Sequence, residues 1–214
     1  MNRRLFLAAS ASASLTVGLA GCASLFDASM PDDLEAVESD RQLPVPTLSD
    51  GDVPVDVYED LGCPACQEFQ AEVFPTLEAE LIEPDEIAYR HFDFVVEAAD
   101  QSLAMANAAR AVQSETHDGD DEPNGAFFEY KNAVMRGDDH GDEALAALAE
   151  DVDVDPAVVS SALEEESYYP TLVADWERGE AAGVEGTPTV VVDDEIVEDS
   201  MDPDAIIDAV DDAS

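Results

Sequence analysis

Two cysteines two residues apart, Cys63-Pro64-Ala65-Cys66, are the residues of this chain whose type and spacing best suit chemistry. A thiol pair at this spacing can close and reopen a disulfide, and the thiolate is the reactive form. Upstream, Val53, Val55 and Val57 alternate with Pro54 and Asp56 and lead into Tyr58, the pattern of a short strand. Downstream, Phe69, Val73, Leu77 and Leu81 recur at helical spacing. Cys63 therefore falls where a helix begins, and there the unpaired backbone N–H groups and the positive dipole end favour a thiolate. Cys66 lies one turn on, facing the same way, placed to close a disulfide or to resolve a mixed one. Pro64 suits the first helical turn, where its missing N–H costs nothing. Ala65 completes the dipeptide that tunes the pair.

Other readings of the pair are weaker or remain open. A structural zinc site needs a second pair of ligands, and His91, His117 and His140 are isolated from one another. A lone histidine is more often a surface or cap residue, so none of the three is assigned a role, and no metal site is assigned. A static disulfide around two residues closes little chain entropy and stabilises weakly. Dithiol–disulfide exchange, which needs no cofactor, is the favoured chemistry. A carrier of copper or zinc on the same two cysteines, with methionines or a histidine completing the shell, stays open. So does a scaffold in which the dithiol is incidental. Metal stoichiometry of the freshly reduced protein tests the carrier, and full activity of a Cys63→Ala variant in cells would point to the scaffold.

A second signal lies far downstream. Gly183-Val184-Glu185-Gly186-Thr187-Pro188-Thr189 precedes the β-branched run Val190-Val191-Val192, and a proline there marks a strand edge or a tight bend. Cys-Pro-Ala-Cys after a strand together with Gly-Thr-Pro-Thr before one resembles the thioredoxin superfamily. The resemblance runs from Asp52 to the C-terminus. It implies that the Thr187–Pro188 bond is cis and packs against the active-site disulfide, with Thr187 presenting its backbone to a substrate chain beside Cys63.

The remaining elements refine the resemblance. Ile87–Phe94 reads as a second strand, and about ninety residues of helical pattern follow it. Leu103 to Val112 and Phe127 to Met135 mark two helices. Leu145 to Leu148, Val158 to Leu163 and Leu172 to Trp176 mark three shorter ones. Asp118-Gly119-Asp120, Gly137-Asp138-Asp139 and Asp155-Pro156 punctuate them. The chain closes with strand Thr189–Asp193, a turn, the short strand Ile196-Val197 and helix Pro203–Val210. The expected class is α/β: a thioredoxin fold, with a central mixed sheet flanked by helices, in domain 50–214, interrupted by a helical subdomain over about 98–182. That arrangement resembles the DsbA type of thiol-disulfide oxidoreductase, including its haloarchaeal and bacterial exported relatives.

Many members of that family carry a buried acid six residues before the first cysteine. Val57 occupies that position here, and Asp56 points to the opposite face of its strand. Removal of the Cys66 proton must then fall to water or to another carboxylate, such as Glu59 or Asp60. With no Lys or Arg near them in sequence, these acids are expected to oppose the helix dipole and raise the Cys63 pKa. The net expectation is a Cys63 pKa below that of a free cysteine, but less depressed than in the strongest oxidants. Oxidation, reduction and isomerisation are equally compatible with these residues.

Charge bounds the rest. The 214 residues carry 8 Lys plus Arg against 52 Asp plus Glu, a formal net charge of −44. Nucleic-acid binding needs a basic stripe, and docking on anionic lipid needs a polybasic patch; both are excluded. Disorder needs low hydrophobicity, whereas 46% of these residues are hydrophobic. Self-repulsion destabilises the compact state in dilute buffer and is screened at molar salt, where the Debye length is ~3 Å. The expectation is a halophilic protein.

The first 21 residues contain no acid, open with Asn2-Arg3-Arg4-Leu5-Phe6-Leu7 and continue in small and apolar residues. They read as an export signal resembling the twin-arginine type. Leu19-Ala20-Gly21-Cys22 resembles a lipobox, where cleavage leaves Cys22 for lipid attachment. Residues 22–49 read as an acidic flexible tether spanning ~30 Å. The chain is thus expected at the extracellular face of the cytoplasmic membrane, anchored through the lipid on Cys22. Its expected partners are the thiols and disulfides of exported proteins and an unidentified membrane redox partner.

Overall fold

Strand β2 (Val53–Glu59) sets the architecture, because both of its faces are apolar enough to need cover. The computed structural model describes residues 28–119 and 122–214, so the export signal and Cys22 lie outside the described residues. Five strands form one mixed sheet in the order β1-β3-β2-β4-β5, with β1 at Thr47–Leu48, β3 at Ile87–Asp93, β4 at Thr189–Val192 and β5 at Glu195–Ile196. β2 runs parallel to β3 and antiparallel to β4.

One face carries Val53, Val55, Val57, Tyr89 and Val190, and two helical stretches cover it. The first is the run from Pro64 to Ile82, made of α1 (Pro64–Glu68) and α2 (Phe74–Leu77) with π-helical turns at Phe69–Val73 and Glu78–Ile82. The turns flank Pro75, which has no N–H for an unbroken α-ladder. The second is α8 (Pro203–Ala213), which contributes Ile206 and Val210. On the other face Tyr58, Phe92 and Phe94 meet Trp176, whose ring stacks on Phe94 with centroids 4.8 Å apart.

Between β3 and β4 come α3 (Ser102–Thr116), α4 (Phe127–Arg136), α5 (Asp142–Leu148), α6 (Pro156–Glu165) and α7 (Tyr169–Ala181). They share a core of Met105, Ala109, Val112, Phe127, Tyr130, Val134 and Leu145, and Leu61, Cys63 and Cys66 belong to that same cluster. The helical insertion therefore packs directly against the thiol pair.

The tether expectation needs correction over its described part. Residues 28–48 are packed on the body: Leu34 and Leu43 are buried, and Met30 and Val37 rest on the cluster of Leu103, Tyr169 and Leu172. Asp40 N–H bonds the Pro170 carbonyl at 3.1 Å, and Arg41 pairs with Asp175. Thr47 and Leu48 add an antiparallel edge strand to β3. Each buried leucine is worth about 1.5–3 kcal/mol, enough to hold an acidic strap to the surface.

Candidate active site

Cys63 is the N-cap of α1, in extended conformation (φ −77°, ψ 123°), with Pro64 in the first turn. The turn before it is fixed from behind. The buried Asp60 carboxylate accepts from the N–H groups of Gly62 at 2.8 Å, Val96 at 3.0 Å and Ala98 at 3.1 Å. Gly62 has no substitute, because a Cβ there would stand 2.5 Å from Ser102 Oγ and 2.8 Å from Ala99 Cβ.

Both cysteines are free thiols, and they differ in setting: Cys63 is 8% exposed and Cys66 is fully buried. The Cys63 pKa is lowered to about 6, chiefly by the hydrogen bond from the Cys66 thiol; burial opposes the shift, and backbone N–H groups of Cys66 and Ala65 assist it. Cys66 is pushed well above the ordinary thiol range by burial first, then by its bond to Cys63 and the charge of Glu59. The pair is therefore one ready thiolate beside one firmly protonated thiol.

The second motif meets the first. The Thr187–Pro188 bond is cis, and Cys63 Sγ lies 3.6 Å from the Thr187 carbonyl oxygen, to which the thiol donates while it is protonated. A groove of about 600 Å³ is lined by Cys63, Pro64, Ala65, Thr187, Pro188, Ile196 and Met201. Ile196 is the large hydrophobic residue left exposed among the described residues.

Behind the thiols lies a buried set of charges. Glu59 ends β2 on the face of Val55 and Val57, one pleat beyond the position expected for a family acid. Its Oε1 accepts from Gln70 Nε2 at 3.1 Å. Its Oε2 faces Lys131 Nζ and His91 Nδ1, the latter at 3.1 Å. Burial alone would raise the Glu59 pKa, but the Lys131 charge and then the His91 hydrogen bond outweigh it and hold the group at about 2. The chain of contacts runs on from His91 Nε2 to Asp93 Oδ1 at 3.1 Å. Arg110 then bridges Asp93 and Asp175, both at 2.7 Å, and Arg41 meets Asp175 from outside.

Of the two acids offered as proton acceptors, Asp60 is spent on three backbone N–H groups, and Glu59 alone bears on Cys66. The expectation that no Lys or Arg attends these acids fails, because Lys131 and Arg110 come from the helical insertion, remote in sequence. His91, left without a role by its isolation in the sequence, sits in the middle of the cluster. Its signal was present: Ile87, Tyr89, His91 and Asp93 share one face of β3, and the parallel register sets His91 opposite Val57 and Asp93 opposite Glu59. His117 and His140 stand apart from this cluster; His140 Nε2 lies against the Val134 carbonyl at 2.9 Å. Among the described residues no group of three His, Cys, Asp or Glu is arranged to hold a metal ion.

A thiol pair at a helix start, facing a cis-prolyl loop across the end of a mixed sheet, defines a thioredoxin-fold dithiol protein. The family model described as Thioredoxin matches residues 49–212, and the chain belongs to that family. The chain is 24% identical over 170 residues to disulfide bond formation protein D of Bacillus subtilis (strain 168), covering 75% of this chain and 73% of that protein. Its structure is similar to that of oxidised BdbD from Bacillus subtilis, with TM-score 0.68, 21% identity, and coverage of 78% and 91% of the two chains. It is also similar to DsbA of Chlamydia trachomatis, with TM-score 0.70, 23% identity, and coverage of 79% and 91%. The fold is that of the DsbA-like thiol-disulfide oxidoreductases, helical insertion included.

Proposed function

We propose that this protein exchanges disulfides with exported proteins through Cys63 and Cys66, with net oxidation of its substrates. The observation that carries the reading is the inequality of the two thiols, a Cys63 thiolate favoured to about pH 6 beside a buried Cys66 pushed upward. A substrate thiolate attacks Cys63 of the disulfide, Cys66 leaves and takes a proton, and a mixed disulfide forms. A second substrate thiolate then attacks the substrate sulfur and expels Cys63. The expelled thiolate is a good leaving group because its pKa is low, and stabilising it stabilises the reduced protein, which makes the disulfide a stronger oxidant. Pro64 and Ala65 support the helix start. Thr187 and Pro188, on the opposite wall of the groove, receive the substrate backbone.

The arginine-led N-terminal segment directs export, and Cys22 carries a lipid. Five residues, 23–27, lie between that cysteine and Ala28, where the packed segment begins, a span of at most ~20 Å. The domain therefore sits close against the outer face of the membrane, within reach of a membrane redox partner. Among the described residues no helix is long and apolar enough to cross a membrane.

The test is a trap. A Cys66→Ala variant incubated with a disulfide-bonded peptide should accumulate a mixed disulfide at Cys63, seen as a mass adduct, while Cys63→Ala accumulates none. Absence of an adduct in Cys66→Ala, or equal adducts in both variants, would refute the reading.

A further inference from the structure

We propose that His91 is a positioning residue for the dithiol: it stands between Glu59 and Asp93 as a doubly protonated, positively charged ring, and through Glu59 it sets how firmly the thiol pair holds its protons. The proposal rests on the reading of Cys63 and Cys66 as the exchanging pair. Its basis is geometric. His91 is completely buried, with Nδ1 3.1 Å from Glu59 Oε2 and Nε2 3.1 Å from Asp93 Oδ1. A neutral imidazole has one N–H and one lone pair, so it would turn the lone pair toward one of these carboxylates. The ring is fully buried, and a buried polar group left unpaired is costly. Two N–H donors satisfy both carboxylates.

The charges around the ring come from every element packed against it. Glu59 reaches it from β2 and Asp93 from β3 itself; Lys131 of α4 binds the same Glu59 oxygen, and Arg110 of α3 takes the other oxygen of Asp93. Gln70 holds the remaining Glu59 oxygen, and the Phe127 ring stands with its centroid 5.1 Å from that of His91. Beyond Arg110 lie Asp175 and Arg41. The carboxylates of Glu59, Asp93 and Asp175 are matched by Lys131, Arg110 and Arg41. A charged His91 therefore leaves the cluster with one net positive charge, in a chain whose formal net charge is −44. The field of Glu59 bears on Cys66, and a positive charge placed on Glu59 weakens that field and favours thiolates.

Two measurements test this. Nitrogen-15 NMR of the reduced wild-type protein at neutral pH should show a proton on both ring nitrogens of His91; an unprotonated ring nitrogen overturns the proposal without any variant being made. His91→Gln keeps one donor and one acceptor but carries no charge. Equilibrated with glutathione, where protein dithiol and oxidised glutathione give protein disulfide and two reduced glutathiones, the variant should shift at least ~3-fold toward the protein disulfide, and its thiolate titration should move to higher pH. A folded His91→Gln protein with unchanged equilibrium and titration refutes the proposal. Loss of folding in the variant leaves the NMR result to decide. A wild-type protein that fails to exchange with glutathione at all refutes instead the assignment of the dithiol.

Discussion

Asp56, Glu59, Asp93 and Asp175 lie inside the molecule and share Arg41, Arg90, Arg110, Lys131 and Arg178 among them. Asp193, Glu195, Glu198, Asp208 and Asp212, around the hollow between the β4–β5 turn and α8, have no Lys or Arg of the described residues bonded to them. The residue types are the same and the physics is opposite. An interior carboxylate is held by a cation at fixed short range, where salt screens little. A surface carboxylate in this chain meets chiefly other carboxylates, and the energy of that repulsion depends on the solution. Among the described residues five of the six Lys and Arg pair with carboxylates that burial deprives of water, and the surface acids are left to the salt.

Arg110→Met should break the interior side of this contrast most severely, since it strips a partner from both Asp93 and Asp175. Denaturant unfolding is expected to show a loss of about 3–5 kcal/mol, of the same size in dilute and in molar salt; a loss confined to dilute salt would place the pair electrostatically on the surface. Lys131→Met should cost less, about 1–3 kcal/mol, because His91 and Gln70 remain on Glu59. A Glu59→Gln/Lys131→Met double variant should recover much of that loss, and a double-mutant cycle with no coupling would refute the pairing.

Acid separates the two populations by sign. Glu59 lies at about 2 in the folded protein against an ordinary value of 4.5. Its contribution is complete above pH 4.5 and is lost as pH falls through about 2. Asp93 is lowered in the same direction, with Arg110 and then His91 outweighing its burial. Protonating surface acids relieves repulsion and works the other way. In dilute salt, acidification from pH 6 to pH 2 should therefore change stability less unfavourably in Glu59→Gln than in the wild type, so that the stability gap between the two narrows as pH falls; a gap that stays constant would remove Glu59 from the account. The smallest effect belongs to the surface. Asp208→Asn should stabilise by at most ~0.5 kcal/mol in dilute buffer and by nothing measurable at molar salt, whereas a clear loss in both would reveal a structural role.

The alternation of Val53, Val55 and Val57, the helical spacing from Phe69 to Leu81 and the turn residues between helices made most of the fold legible, because each is a local periodicity. The insertion expected at about 98–182 is occupied by helices from Ser102 to Ala181. The two motifs marked both walls of the groove. The buried charges were not legible as a group: Glu59, His91, Lys131, Arg110, Asp175 and Arg41 come from six segments, and their meeting is a property of packing. Leu34 and Leu43 were hidden for another reason. Single apolar residues in an acidic, proline-containing stretch have no period, and what they pack against is remote in sequence.

The central claim is the inequality of the two thiols, and the most direct measurement of it is the thiolate absorbance of the reduced protein followed against pH. One thiolate should form with a midpoint of about 6 and be lost in Cys63→Ala, while the Cys66 thiol stays protonated well past the ordinary value of 9.0. A first midpoint at or above 9.0, or two thiols titrating together, would contradict the account.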